Sequence, residues 1–236
     1  MLKLVLMPGM DGTGELFSEF VDSLHGSFKT VIVRYPTDQP LSYTELEATV
    51  LAACPVAESY LLIAESYSTP LAIHYAATDP ANLVGMVLCA GFASSPVWGW
   101  RRVFGSLLAP VLFSFQLPDF ALRFWLVGAD APNLLLAAVR RAISSVRPSV
   151  LASRLREVLG CDVRADLNRI AVPILYIQAK GDRLVDKRAL DETRRIKPKV
   201  KVAVIDGPHL ILQREPEIAA GIVVEFAKEC IPNRII

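Results

Sequence analysis

An apolar run that ends in a serine and passes at once into a helical pattern, residues 60–70, constrains this chain most. A sharp strand-to-helix turn of this kind pushes a serine Oγ out of the backbone. Small residues are needed two places before and two places after the serine, because the turned backbone packs tightly there. Around Ser66 these are Ala64 and Ser68, where glycine is usual, so the pattern is a degenerate one.

Two later loops supply the partners that a serine nucleophile needs. Asp182 lies in a Gly-Asp-x-x-Val loop after the apolar run 173–178, and His209 follows the short strand pattern 201–205. A serine hydroxyl needs a base to take its proton, and the base needs an anion to orient it. The chain order Ser66, Asp182, His209, with each residue just past a strand end, predicts such an arrangement.

With these residues in this order, the whole chain resembles an α/β-hydrolase-fold serine hydrolase. The resemblance covers nearly all 236 residues. It implies an α/β fold with a mostly parallel central sheet flanked by helices and a helical cap insertion. Within the superfamily, the short chain and the layout of the insertion are similar to small carboxylesterases of the pimeloyl-carrier-protein methyl esterase kind.

Short apolar runs alternate with helical patterns, which favours a parallel sheet built from β-α units. The stretch 94–160 breaks this alternation, so we expect a helical cap there and a core formed by 1–93 and 161–236; an ordinary helical layer is the alternative. The predicted strands are 2–7, 30–34, 60–65, 84–90, 173–178 and 201–205. The predicted helices are 15–25, 42–53, 67–78, 186–195 and 215–228.

The catalytic assignment is Ser66 as nucleophile, His209 as base and later acid, and Asp182 as the residue that orients the base. Other serine, histidine and aspartate residues near these positions fit the three catalytic roles less well. Ser68 lies inside the helix that follows the turn, and Asp186 is placed to cap a helix. The remaining competitors, each expected to be structural or at the surface, are His25, His74 and Asp206.

The glycine-rich loop 8–14 is expected to help bind the oxyanion of a tetrahedral intermediate. Two backbone N–H groups usually do this, one just after the nucleophile and one from the loop after the first strand. These would be the N–H groups of Tyr67 and Met10. The loop matches neither of the common glycine-rich phosphate-binding patterns, so nucleotide binding is disfavoured.

The composition of the chain narrows the possible classes of function and the expected cellular location. The chain is 53% hydrophobic and has a net charge of +1. A net charge this small implies no overall electrostatic attraction to nucleic acids or to membranes. The apolar N-terminus is too short for a signal peptide, and the uncharged stretch 103–118 is too short for a membrane span. Four scattered cysteines indicate core residues in a reducing compartment. We expect a cytoplasmic protein with no metal, no organic cofactor and no stable membrane insertion.

The segment 94–160 carries eight arginines against three acidic residues and holds all three tryptophans. We expect Trp98, Trp100 and Trp125 to line an acyl pocket, although they could equally form the core of the cap. The arginines could be a solvated face or could steer an acidic acyl carrier protein, the partner that the resemblance implies. They are Arg101, Arg102, Arg123, Arg140, Arg141, Arg147, Arg154 and Arg156.

The predicted function is that of a serine carboxylesterase acting on short- to medium-chain acyl esters. A thioesterase or acyltransferase would use the same triad. A non-catalytic binding protein on the same fold, as in hydrolase-like hormone receptors, belongs to a different class of function.

Overall fold

The central sheet is entirely parallel in the computed structural model, which describes residues 2–97, 113 and 117–231. Its six strands lie in the spatial order β2-β1-β3-β4-β5-β6. They match the predicted strands to within two residues. The strands are β1 (Lys3–Met7), β2 (Lys29–Ile32), β3 (Tyr60–Glu65), β4 (Leu83–Cys89), β5 (Ile174–Ala179) and β6 (Lys201–Ile205).

Helices connect the strands, as parallel pairing requires. The helix predicted at 15–25 is instead a 3₁₀ turn, Glu15–Phe17, followed by a short α-helix, because the chain turns at His25, whose φ is 49°. The helices are α1 (Ser18–Asp22), α2 (Tyr43–Ala53), α3 (Ser68–Ala76), α4 (Asp119–Leu122), α5 (Asn133–Ser144), α6 (Pro148–Gly160), α7 (Arg164–Arg169), α8 (Arg188–Ile196), α9 (Ile211–Arg214) and α10 (Pro216–Cys230). A π-helical turn, Arg123–Val127, extends α4.

Both faces of the sheet are buried, and side chains alternate between them along each strand. In β3, Leu61 and Ile63 pack in one cluster with α10, whereas Leu62 and Ala64 pack in the other with α3. Complete burial of a leucine-sized side chain contributes roughly 1.5–3 kcal/mol, so β3 is strongly fixed in register. The four cysteines are buried, as expected for core residues.

The chain between β4 and β5 has its own small apolar clusters. Leu122, Val127 and Val139 belong to one of them, and Val146 and Val150 to another. A single antiparallel bridge, Ser94 to Asp162, joins the two ends of this segment. The division into core and cap stays a prediction. Among the described residues, no helix has both the length and the apolar character needed to cross a bilayer.

Candidate active site

Ser66 lies at the turn between β3 and α3 and has a left-handed backbone, with φ of 48°. This conformation costs a residue with a Cβ roughly 1–3 kcal/mol and persists where the surroundings over-determine it. Here the N–H of Ser66 donates to the carbonyl of Cys89 at 2.9 Å, and its own carbonyl accepts the N–H of Thr69. Ala64 and Ser68 are both fully buried, so the tight packing predicted for the two small residues is present.

His209 lies between Ser66 and Asp182. Its Nε2 is 2.8 Å from the Ser66 Oγ, and its Nδ1 is 2.8 Å from the Asp182 Oδ2. The side chains of His209 and Asp182 are only 4% and 3% exposed. The structure therefore brings together the three side chains predicted from separate parts of the sequence.

The Asp182 carboxylate is held by three donors. Its Oδ1 accepts the N–H groups of Leu184 and Val185 at 2.8 and 2.9 Å, which leaves Oδ2 for His209. A carboxylate can only accept, so the Nδ1 of neutral His209 carries the proton and Nε2 is free to accept the Ser66 hydroxyl hydrogen. This tautomer is the one that can act as a base toward Ser66.

The competing histidines lie elsewhere. His74 has its Nδ1 at 2.7 Å from the Asp166 Oδ2 and its Nε2 at 3.1 Å from the Glu47 Oε1, in contacts that involve no serine. His25 is exposed at the end of the first helical segment. Both are therefore structural or surface residues, as the sequence suggested.

The competing acids also have other surroundings. The Asp186 Oδ1 accepts the N–H of Arg188, the first residue of α8, at 2.9 Å. The N-cap of α8 is Lys187, so Asp186 lies one residue before the cap position predicted for it. Asp206 is exposed. Asp182 is the carboxylate that contacts His209.

Ser68 has a structural role. Its hydroxyl donates to the carbonyl of Pro8 at 2.5 Å and therefore accepts the hydroxyl hydrogen of Tyr35, 2.6 Å away. The hydroxyl hydrogen of Ser68 is therefore engaged by the Pro8 carbonyl, whereas the hydroxyl that meets His209 is that of Ser66. In place of the usual glycine, the chain has a side chain that ties the turn at Ser66 to the loop 8–14.

The backbone N–H groups of Met10 and Tyr67 are free donors. Neither donates a hydrogen bond to any group in the described part of the chain. Tyr67 is fully buried beside Ser66, so its free N–H lies where an unpaired donor is costly. Two free donors in the segments that flank Ser66 are what binding of an oxyanion requires.

Glu65, directly before Ser66, is a buried carboxyl that sequence reasoning missed. It is 2% exposed, and burial raises its pKa to about 7. Its Oε2 accepts from the Gln213 Nε2 at 3.2 Å, and its Oε1 has no hydrogen-bond partner among the described residues. The signal in the sequence was a charged residue at the end of an otherwise apolar strand.

The segment between β4 and β5 contacts both loops that carry partners of Ser66. The N–H of Leu210, next to His209, donates to the carbonyl of Leu126 at 3.0 Å. Arg183, next to Asp182, donates to the carbonyl of Phe124 at 3.1 Å and places its guanidinium 4.0 Å from the Phe124 ring centroid. The π-helical turn 123–127 is thus docked beside the site.

The predicted substrate-binding tryptophans are only partly within the described residues. Trp125 lies in the π-helical turn, is 44% exposed and makes an edge contact with Phe124. Trp98 and Trp100 lie outside the described residues, as do Arg101 and Arg102. A role for these side chains in substrate binding stays a prediction.

Two arginines of the segment 94–160 donate to backbone carbonyls. Arg123 donates to the carbonyls of Ala129 and Ala131, and Arg154 is 2% exposed and bonded to backbone carbonyls. Arg140 pairs with Asp119. Arg154, one of the eight arginines counted in the sequence, therefore adds no charge to the surface. Among the described residues of this segment, the exposed arginines are Arg141, Arg147 and Arg156.

The described residues contain no cluster of metal ligands. No three His, Cys, Asp or Glu side chains in residues 2–97, 113 and 117–231 lie close enough together to hold a metal ion. The side chains around Ser66 are those of proton transfer and hydrogen bonding.

Sheet order, strand-to-helix turns and the position of Ser66 together define an α/β-hydrolase fold. The model of the Alpha/beta hydrolase family matches residues 4–221, and the chain belongs to this family. A search of curated proteins gives no match.

Solved structures of the same fold cover almost the whole chain. They include a thermophilic esterase from Thermogutta terrifontis (TM-score 0.81, 16% identity, 98% of this chain and 90% of that chain). An enol-lactonase from Burkholderia xenovorans LB400 gives a TM-score of 0.79 at 19% identity, over 96% and 91% of the two chains. A bromoperoxidase from Bacillus anthracis gives 0.81 at 14% identity, over 96% and 91%. At these identities the likeness shows the fold alone.

Proposed function

We propose that this hydrolase-family protein is a serine carboxylesterase for short- to medium-chain acyl esters, with Ser66, His209 and Asp182 as its catalytic triad. The observation that carries the proposal is the single histidine ring that meets the serine hydroxyl and the aspartate carboxylate, at 2.8 Å each. The free N–H groups of Met10 and Tyr67 support it.

In the first half of the reaction, His209 Nε2 takes the proton of Ser66 as the Oγ attacks the ester carbonyl carbon. The carbonyl oxygen becomes an oxyanion and accepts from the N–H groups of Met10 and Tyr67. Asp182 stabilises the imidazolium through Nδ1. The bond to the alcohol oxygen then breaks, and the alcohol leaves with the proton from Nε2.

In the second half, water replaces the alcohol. His209 takes a proton from water, the hydroxide oxygen bonds to the acyl carbon, and the same N–H groups hold the oxyanion again. The bond from the acyl carbon to Oγ breaks, and Nε2 returns the proton to Ser66. The carboxylic acid leaves, and the enzyme regains its starting protonation state.

The test is hydrolysis of p-nitrophenyl esters from acetate to palmitate by the native protein and by Ser66→Ala. Ser23→Ala, at the far end of α1, serves as the matched control because its hydroxyl bonds only the carbonyl of Glu19. Activity lost in Ser66→Ala and kept in Ser23→Ala is the expected result. The acyl length with the highest rate then gives the size of the pocket.

A covalent probe separates the other classes of function. Labelling of Ser66 by a fluorophosphonate without ester hydrolysis would favour an acyltransferase, or a thioesterase if acyl thioesters are cleaved instead. A folded native protein that is neither labelled nor active would contradict the proposal and favour a binding protein.

A carrier-linked acyl ester is the narrower form of the proposed substrate. The exposed Arg141, Arg147 and Arg156 of the segment 94–160 support it, since an acidic carrier would be attracted to them. Replacing Arg101, Arg102, Arg140 and Arg141 with glutamine should slow hydrolysis of a carrier-linked methyl ester and spare small free esters. Equal loss on both substrates, with the fold intact, would contradict this narrower form.

A further inference from the structure

Arg154 is a buried cation beside the candidate site. It projects from α6, is 2% exposed, and has no carboxylate partner among the described residues. Burial lowers the pKa of its guanidinium. A buried charge is costly unless it is well hydrogen-bonded, so a guanidinium in this position needs a compensating environment.

Backbone carbonyls provide that environment. The Arg154 Nη1 donates to the carbonyls of Met10 and Asp11, both at 2.8 Å, and Nη2 donates to the carbonyl of Pro36 at 2.9 Å. The planar guanidinium presents several donors in a fixed fork, which suits this set of acceptors. One side chain thus restrains two successive peptide units of the loop 8–14.

The same guanidinium also contacts the other segment that supplies a free N–H. It lies 5.8 Å from the centroid of the Tyr67 ring and 5.7 Å from that of Tyr35. Tyr35 in turn bonds Ser68, which bonds Pro8. Arg154 is therefore in contact with both Met10 and Tyr67, whose N–H groups have no partner among the described residues.

Gly12 leaves room for this contact. A Cβ on Gly12 would lie only 2.5 Å from the Arg154 Nη1, and the residue has a φ of 68°. The loop therefore approaches the guanidinium more closely than a side chain would allow. The close fit indicates that loop and cation are placed together.

We propose that Arg154 is a positioning residue for the oxyanion hole, holding the loop of Met10 in place from α6 and adding a positive charge next to that loop and to the Tyr67 ring. The inference rests on the proposed function. Stabilisation by fixed donors depends on their being held before the reaction, and a nearby cation favours an oxyanion where water is excluded. Arg154 acts through the backbone, because its guanidinium donates to the backbone carbonyls of Met10, Asp11 and Pro36.

The expected loss is in kcat. Arg154→Gln should lower kcat by about 10–10²-fold, less than the ~10²–10³ of deleting a donor outright, because the N–H groups remain. KM should stay within about threefold, since the interaction strengthens only as the oxyanion forms. Arg154→Lys keeps the charge and loses the fork, so it should lie between Arg154→Gln and the native protein.

A transition-state analogue distinguishes this role from plain structural support. The affinity for a trifluoromethyl ketone, whose adduct carries an oxyanion, should fall in parallel with kcat/KM across the Arg154 variants. Gly12→Ala gives a second route, because it displaces the guanidinium without removing it. The control is Arg156→Gln, an exposed arginine on the same helix, assayed with a small uncharged ester.

The possible outcomes separate failure of the Arg154 inference from failure of the proposed function. Folded Arg154 variants with native kcat and native ketone affinity would overturn the inference and leave the proposed function standing. If Arg154→Gln does not fold, Arg154→Lys and Gly12→Ala carry the same test. A native protein without ester hydrolysis and without Ser66 labelling would overturn the proposed function and this inference with it.

Discussion

The two sides of the candidate site are built differently. Ser66, Asp182 and His209 lie just past the ends of the parallel strands β3, β5 and β6, where the sheet fixes the backbone. The segment between β4 and β5 has small apolar clusters of its own and exposes Phe120, at 75%, and Leu134, at 72%. If the proposed function holds, the strand ends carry the chemistry and the segment adjusts access of the substrate. We therefore expect severe effects of substitution on one side and graded effects on the other.

The largest effect is expected at the base. His209→Ala removes the ring nitrogen that contacts the Ser66 hydroxyl and should lower kcat by roughly 10⁴–10⁶-fold. His74→Ala is the matched control, because His74 also pairs with an aspartate at 2.7 Å and touches no serine. Ester hydrolysis should be measured for both. Comparable losses, or a His209→Ala variant with near-native activity, would contradict the proposed triad.

The acid is the next most sensitive position. In Asp182→Asn the amide can donate toward His209 Nδ1 and so favours the wrong tautomer, which should lower kcat by about 10⁴-fold. Asp186→Asn changes an exposed residue of the same loop and should alter kcat by no more than about twofold. Measuring both variants on one ester decides between the two acids. A severe loss in Asp186→Asn alone would reverse the assignment.

Glu65→Gln should make stability less sensitive to pH. The pKa of Glu65 is raised from 4.5 to about 7, so the folded protein binds the extra proton and loses stability as pH rises through this range. Glutamine resembles the protonated acid, so above pH ~8 the variant should gain on the order of 3 kcal/mol in unfolding free energy, and the gain should shrink towards pH ~5.

Urea unfolding at the two pH values checks this expectation. Glu19→Gln is the control because Glu19 is exposed on α1. The expectation would be contradicted if the unfolding free energy of Glu65→Gln did not rise at high pH, or if Glu19→Gln gave the same rise. Either result would show that burial of the Glu65 charge does not limit stability at high pH.

Ser68→Ala should cost stability, because it leaves the Tyr35 hydroxyl and the Pro8 carbonyl without partners. We expect a loss of about 1–3 kcal/mol. Tyr35→Phe removes only one of the two hydrogen bonds and should cost less. Urea unfolding of both variants, with fluorophosphonate labelling of Ser66 in each, is the measurement. Fluorophosphonate labelling that persists in Ser66→Ala and is lost in a folded Ser68→Ala protein would mean that Ser68 is itself the nucleophile.

The smallest effect is expected in the segment between β4 and β5. Trp125→Ala should shift the preferred acyl length and change KM by less than about tenfold with little change in kcat, because a partly exposed side chain contributes modestly. Leu51→Ala, an exposed apolar residue on α2, is the control. A loss of kcat as large as that of Asp182→Asn would erase the contrast between the two sides of the site.

The sequence predicted the parallel strands and the identity of the three side chains that meet. The apolar runs gave the strands because a sheet buried on both faces requires them. Chain order gave Asp182 and His209 because parallel strands bring their carboxyl ends to one edge. The ends of helices were predicted less accurately near turns, because the local backbone conformation decides where a helix ends. The helix predicted at 15–25 is an example, since its α-helical part is Ser18–Asp22.

Glu65, Ser68 and Arg154 show what the sequence did not reveal. In the sequence, Glu65 is the last residue of a predicted strand, Ser68 stands where glycine is usual, and Arg154 is one of eight arginines in the segment 94–160. Their roles depend on burial and on partners far along the chain, such as Gln213 for Glu65 and Pro8 for Ser68. Periodicity and local spacing carry no information on such contacts.

By itself, therefore, the sequence determined the order of the elements and the chemical types at the strand ends, because hydrophobic alternation and turn sterics are local properties. The tertiary structure decided which way each charge faces and what satisfies it. Arg154 is the clearest case, because only packing of α6 against the loop 8–14 turns a basic side chain from solvent toward three backbone carbonyls. Burial, a property of the whole fold, then makes those contacts necessary.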